Sequence, residues 1–202
     1  MPDFHVVQIG DTEFIRGAAR LLWAGTTIAF PSKLGDVVNL STYAAMAGWN
    51  DLGATKTGIA ITVNNTEESF DVDQIYSDID SQPTSWEVAV ATSLAEANLD
   101  RMQLAWEGSA VTSATEDGIT TRTLGIGAPQ TYTRRRLAVM FQRPSGKVRG
   151  YLFRLVQRSP QESTITHAKT GEQQSIPVRF RGFADLSIAD PRARFFVIKD
   201  QQ

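Results

Sequence analysis

The chain has 202 residues, a formal net charge of −2 and no cysteine. One domain is the default at that length, with ample chain for a single core. The missing thiols exclude disulfides, thiol chemistry and cysteine-based zinc sites. His5 and His167 lie far apart and form no His-x-x-His pair.

Residues Met1 to Ile15 read as an arm of weak strand character, with Val6, Val7 and Ile9 suited to adding to a neighbour's sheet. Asp3, Asp11 and Glu13 make this leader acidic, unlike the basic start of a secretory signal, so none is expected. Leu21 to Phe30 reads as a buried strand ended by Pro31, and is far too short to span a bilayer. Residues 31–48, Ser32 to Met46 above all, have no clear period. They read as a long loop, of the kind that is usually functional or interfacial.

Gly58 to Asn64 reads as a strand, with Ile59, Ile61 and Val63 on one face. Asn64-Asn65-Thr66 suits a tight turn, and Ser69 to Gln74 a return strand. Tyr76 to Thr84 follows as an acidic loop. Trp86, Val88 and Val90 then alternate with Glu87, Ala89 and Ala91, the period-2 pattern of a half-buried strand. Ser93 and Glu96 have the spacing of a capping box, which satisfies two helix donors reciprocally. Ala95, Leu99, Met102 and Trp106 form one helical stripe and Gly108 a stop, so a helix is predicted over 93–107.

Ser109 to Tyr132 is rich in Thr, Gly and Ser and suggests short strands near Val111 and over Thr121 to Leu124. Arg136 to Gln142 and Val148 to Gln157 read as hairpin partners around Pro144-Ser145-Gly146-Lys147. Ile176, Val178 and Phe180 face inward on a further strand, with Arg179 and Arg181 outward, and a last strand is expected over Ala193 to Ile198. Many strands, one helix and turn-rich links predict an antiparallel β-sandwich or partial barrel with a flanking α-helix.

Charge is unevenly laid out. From Thr57 to Thr133 twelve acidic residues stand against Arg101 and Arg122, whereas from Arg134 onward fourteen Lys and Arg stand against five acids. Two differently solvated surfaces of one fold would account for this. So would self-complementarity, an acidic face of one subunit meeting a basic face of the next, which generates rings or filaments.

No catalytic constellation emerges. The Gly125-Ile126-Gly127 run lacks the third glycine and the lysine of a phosphate loop. Asp71 and Asp73 have Asp-x-Asp spacing but no predictable third metal ligand, and read as a solvated acidic face. Nothing places Glu87 near Glu96 as an acid–base pair, and no Gly-x-Ser-x-Gly occurs. No enzymatic activity, cofactor or metal is therefore expected. Arg134, Arg135, Arg136, Arg143, Lys147, Arg149, Arg154, Arg158, Arg179 and Arg181 are interleaved with Tyr132, Phe141, Tyr151 and Phe153. That pattern fits a single-stranded nucleic-acid surface, or plain alternation with aromatics inward and arginines outward. Trp23, Trp49, Trp86 and Trp106 read as core anchors rather than sugar platforms.

Three ordered segments carry a resemblance: Gly48-Trp49-Asn50-Asp51-Leu52-Gly53-Ala54-Thr55, Glu68-Ser69-Phe70-Asp71-Val72-Asp73-Gln74, and Thr92-Ser93-Leu94-Ala95-Glu96. In order and spacing they resemble the core of bacteriophage major tail tube proteins of the siphophage type, over roughly the middle third of the chain. The resemblance implies two packed sheets flanked by a helix, and a subunit that forms hexameric rings stacked into a hollow conduit for DNA ejection. It places the 31–48 loop at the adjacent ring. It also implies a location in the virion tail after assembly in the bacterial cytoplasm, and partners among tape-measure, terminator and distal tail proteins. Double-stranded DNA would pass without specific binding, and the subunit would not itself insert into a membrane. A lumen that must not hold phosphates should be acidic or small and polar. The Lys- and Arg-free stretch Gly58 to Glu87 fits, with Glu67, Glu68, Asp71, Asp73 and Glu87 as candidate lumen or inter-ring residues. Arg149, Arg154, Arg179 and Arg181 are the corresponding inter-subunit candidates. The other reading is a β-sandwich module binding nucleic acid or carbohydrate.

Overall fold

The structure, a computed structural model, describes residues 19–72, 75–95, 98–108, 110–127, 132–143, 146–159 and 175–201; of 70–72 and 75–79 it describes the backbone alone. The arm Met1 to Ile15, both histidines, Asp73 and Glu96 lie outside the described residues.

Among the described residues the fold is mainly β, antiparallel throughout, with a single α-helix, and it does not close into a barrel. Strand β1 (Ala19–Gly25) runs between the two-residue β2 (Asn50–Asp51) and β7 (Arg135–Gln142). Strand β7 pairs with β8 (Val148–Arg158), and at β8 the sheet forks. Its far edge takes β10 (Phe196–Asp200) over residues 149–153 and β9 (Ile176–Phe183) over 155–158. From β9 the sheet continues into the long strands β4 (Ile75–Leu94) and β3 (Thr55–Val72). A separate ribbon, β5 (Thr112–Glu116) with β6 (Ile119–Thr123), is exposed throughout.

The fork lets the sheet fold over itself. Leu21, Leu137, Val139 and Phe153 from the β1–β7–β8 limb share one core with Val88, Val90, Ile176, Val178 and Phe180 from the β4–β9 limb. Phe153 is 1% exposed and stacks on Phe196 with ring centroids 5.1 Å apart. The opposite face of β1–β7–β8 is also buried, through Leu22, Ala24, Ala138, Met140 and Leu152. Buried on both faces, β1 and β7 read as near-continuous apolar runs rather than alternating ones.

The 31–48 loop makes that second core. It carries a 3-10 turn at Leu34–Asp36 and a bridge between Val38 and Ala45. Leu34, Val37, Val38 and nearby Trp49 pack on the outer sheet face. Asp36 Oδ2 accepts from the backbone N–H of Lys33 at 3.0 Å and from the Ser32 hydroxyl and N–H at 2.9 Å each. These donors hold its carboxyl below the usual carboxylate range, the Lys33 N–H most of all. The packing is close at Gly150: a Cβ there would sit 2.7 Å from both Leu34 Cδ2 and Met140 Sδ. Gly150→Ala is expected to destabilise the fold by about 1–3 kcal/mol through overpacking, read by thermal denaturation.

Several local expectations are corrected. The helix α1 spans Leu99–Trp106, not 93–107. Ser93 and Leu94 stay in β4, paired with Pro177 and Ile176 on one side and with β3 on the other. Two backbone ladders outcompete a capping box. The observed N-cap is Asn98, whose side chain accepts from the Arg101 N–H at 2.9 Å. Its buried residues are Leu104 and Ala105, while Met102 and Trp106 from the expected stripe pack partly buried beside them. The left-handed stop residue is Glu107, at φ 51°, rather than Gly108. Gly108 is required for closeness instead, since a Cβ would lie 2.7 Å from Leu124 Cδ1. The turn expected at Asn64–Thr66 and the loop over Tyr76–Thr84 are both strand: β3 and β4 pair from Thr55↔Leu94 out to Val72↔Ile75. Of the four tryptophans, Trp49 is buried, Trp23 and Trp106 are partly buried against the core, and Trp86 is 52% exposed.

Candidate functional site

The β3–β4 hairpin outruns the rest of the sheet. Strand β9 accompanies β4 only as far as Val88, which pairs with Gly182. Beyond that point, among the described residues, β3 and β4 pair only with each other. Nine residues, Asn64 to Val72, extend past the body on β3, a reach of about 30 Å. Residues 62–69 and 80–87 are exposed on both strands. No period-2 burial is imposed there, so strand formation rests on backbone pairing and on strand-favouring residues such as Thr62, Val63, Thr66, Thr84 and Trp86. A two-stranded ribbon alone in water is marginal. In addition, β3 has a partner on one side only among the described residues, leaving an open edge 18 residues long.

The acidic candidates sit on this arm. Glu67 lies opposite Pro83, at a bulge, and its carboxylate accepts from Asn65 Nδ2 at 2.6 Å. Glu68 lies opposite Gln82, and Asp71 belongs to the distal part of β3. Glu87 stands at the arm's foot, opposite Asn64. It shares the outer sheet face with Ala89 and Ala91, and therefore with Arg181 and Arg179, which pair with those two alanines. Arg179 reaches along the sheet to Glu87, with 3.5 Å between Nη2 and Oε1. Both partners are roughly half exposed, and such a pair contributes about 0–1 kcal/mol. The foot of the arm is therefore mixed in charge, whereas the hairpin sequence further out carries acidic residues and no Lys or Arg.

The basic candidates are largely engaged within the chain. Arg149 and Arg143 both pair with Asp200. Arg154 donates from Nε to the Ala193 carbonyl at 2.6 Å and lies 4.0 Å over the Phe30 ring. Asp185 stands near Arg154 and Arg136. Its carboxyl is held below the usual range, first by the Ser187 hydroxyl and then by the Ser187 N–H and the two guanidiniums. Arg136 donates to the Ile28 carbonyl at 2.6 Å, and desolvation lowers its pKa from the ordinary arginine value. Arg181 is exposed beside the Phe183 ring. Phe141 and Phe153 are buried, so alternation explains much of the interleaving of aromatic and basic residues.

One buried ion pair has no sequence signal. Arg135 meets Glu107 in a two-bond pair, with Nη2 to Oε2 at 3.2 Å, and their side chains are only 12% and 5% exposed. It ties the end of α1 to the start of β7. Among the described residues there is no group of three or more His, Asp or Glu able to hold a metal ion, and no helix long and apolar enough to cross a membrane.

No protein-family model matches the sequence, and no curated protein matches it. Among solved structures, the chain is similar to a chain in the cryo-EM structure of the anti-feeding prophage (AFP) baseplate, 6-fold symmetrised. The two share 6% identity at a TM-score of 0.48, over 93% of this chain and 96% of that one. Likeness at that level carries no argument about role, so the functional reading rests on this chain's own surfaces.

Proposed function

We propose that this chain is a structural subunit of a phage-type virion tail, and within it a tail tube protein that forms six-membered rings stacked into a hollow conduit for DNA. The observation that carries this reading is the β3–β4 arm. It is a long two-stranded ribbon, exposed at residues 62–69 and 80–87 and without Lys or Arg from Gly58 to Glu87, bordered among the described residues by an open strand edge. Such an element is a poor end state for a monomer. It becomes a good one when neighbouring copies pair along the edge and surround the ribbon. The acidic stretch suits a channel along which DNA slides without sticking, with some of its carboxylates at contacts between copies instead. In this reading the 31–48 loop meets the adjacent ring, and the chain has no catalytic role.

Negative-stain electron microscopy of the purified full chain, concentrated at moderate salt, tests the reading. Hollow rings or stacked tubes are expected. Discrete small particles that retard DNA on a gel or bind a glycan array would replace it with the binding-module reading. The internal pairing of Arg135, Arg143, Arg149 and Arg179 weighs against that alternative, because phosphate binding would compete with existing partners.

A further inference from the structure

At the foot of the arm, where β3 and β4 leave the body, lies a groove of about 320 Å³. Val63 and Trp86 from the arm form one wall, and Pro191, Arg192, Phe195 and Phe196 form the other. Trp86 is 52% exposed and Val63 43%. A half-exposed tryptophan beside two phenylalanines has the make-up of an interface hot spot rather than of a core. The one cation on this wall is Arg192, exposed at the 3-10 turn Pro191–Ala193, which is capped through its own N–H by Asp190 Oδ1 at 3.0 Å.

We propose that this groove seats the acidic hairpin of a second copy of the chain, a contact that rests on the self-assembly reading above and specifies its partners. Charge complementarity selects the occupant. The hairpin brings Glu67, Glu68 and Asp80 exposed, with no Lys or Arg on either of its strands between Gly58 and Glu87. In sequence, its outer stretch also contains Phe70, Val72, Ile75, Tyr76 and Ile79, apolar matter of the kind an aromatic groove accepts. Because groove and hairpin are different surfaces of one molecule, the contact is head-to-tail and propagates into a ring or a filament.

Two charge-reversed chains test the contact. One carries Arg192→Glu. The other carries Glu67→Lys, Glu68→Lys and Asp80→Lys. Each alone places like charges at the contact, and each is expected to need at least tenfold more protein for half-assembly in sedimentation velocity. Mixed in equal amounts they restore complementarity in alternation, and assembly is expected to return. Trp86→Ala is expected to weaken assembly by a similar factor, with an unchanged circular dichroism spectrum. Wild-type-like assembly by each reversed chain alone would overturn the contact and leave the tail tube reading standing. So would a mixture of folded chains that stays dispersed. A wild-type chain that never associates would remove both.

Discussion

Replacing residues 67–84 with an Asn-Gly turn, so that Thr66 and Ser85 close the hairpin, leaves a folded monomer that no longer assembles. Thr66 and Ser85 are register partners in the present hairpin, and Asn-Gly is the two-residue turn whose twist suits antiparallel strands. None of the described side chains of the excised stretch belongs to either core: the buried residues of β4 that hold the limbs together begin at Val88 and Val90. The melting temperature is therefore expected to move by no more than about 2 °C, well under the shift a single lost core contact produces in a domain of this size. The loss of assembly should be complete, because the shortened chain lacks the acidic arm and the distal third of the open β3 edge, the part that projects furthest toward a neighbour. Size-exclusion chromatography and electron microscopy read the second effect, and calorimetry the first. A shortened chain that still builds rings or tubes would show that the arm is not the assembly element. One that unfolds would show that it is part of the core.

Glu107→Ala is expected to be the most damaging single substitution at a charged position. It leaves the Arg135 guanidinium, 12% exposed, without its carboxylate. Breaking one side of a buried pair costs about 3–5 kcal/mol, because the remaining charge is stranded away from water. For a domain of this length that corresponds to a fall in melting temperature of roughly 10 °C. The 5.6 Å contact of Arg135 with the Trp23 ring remains and offsets little of the loss. Removing both partners together, as Glu107→Leu with Arg135→Met, should recover most of the stability, since apolar side chains replace a buried pair at little cost. A single variant as stable as the parent, or a double variant worse than the single, would show that the pair is solvated rather than buried.

Legibility followed burial. The strands at Arg136–Gln142, Val148–Gln157 and Ile176–Phe180 were readable because their apolar residues are held against a core, and a core imposes a period. The described side chains of the distal hairpin form no buried face, so its strands look like turn and loop in sequence; Asn64, Asn65 and Thr66 are turn residues by composition and strand residues by pairing. The helix start is hidden in the sequence for a related reason. Ser93 satisfies a local rule, but the ladders that hold it in β4 come from Thr57 and Pro177, both distant in the chain. The acidic stretch and the basic third were visible as charge. Their engagement was not, because the Arg149–Asp200 and Arg179–Glu87 pairs depend on topology. The groove at Trp86 joins residues more than a hundred positions apart, and nothing local marks Trp86 as the exposed tryptophan of the four.

The place of β1 in the sheet also bears on how the chain is made. Its main partner is β7, with Leu22 opposite Ala138, and the short β2 covers only two of its residues. At a synthesis rate of roughly 5–20 residues per second, an apolar strand waits on the order of 10 seconds for its neighbour to leave the ribosome. Strand β10, later still in the sequence, then completes the far edge of β8. Folding of such a chain is slow and back-loaded, with non-local closure limiting its rate. A cell making this protein in quantity therefore carries a standing population of nascent chains whose β1 lacks its main partner, each an aggregation hazard until β7 emerges.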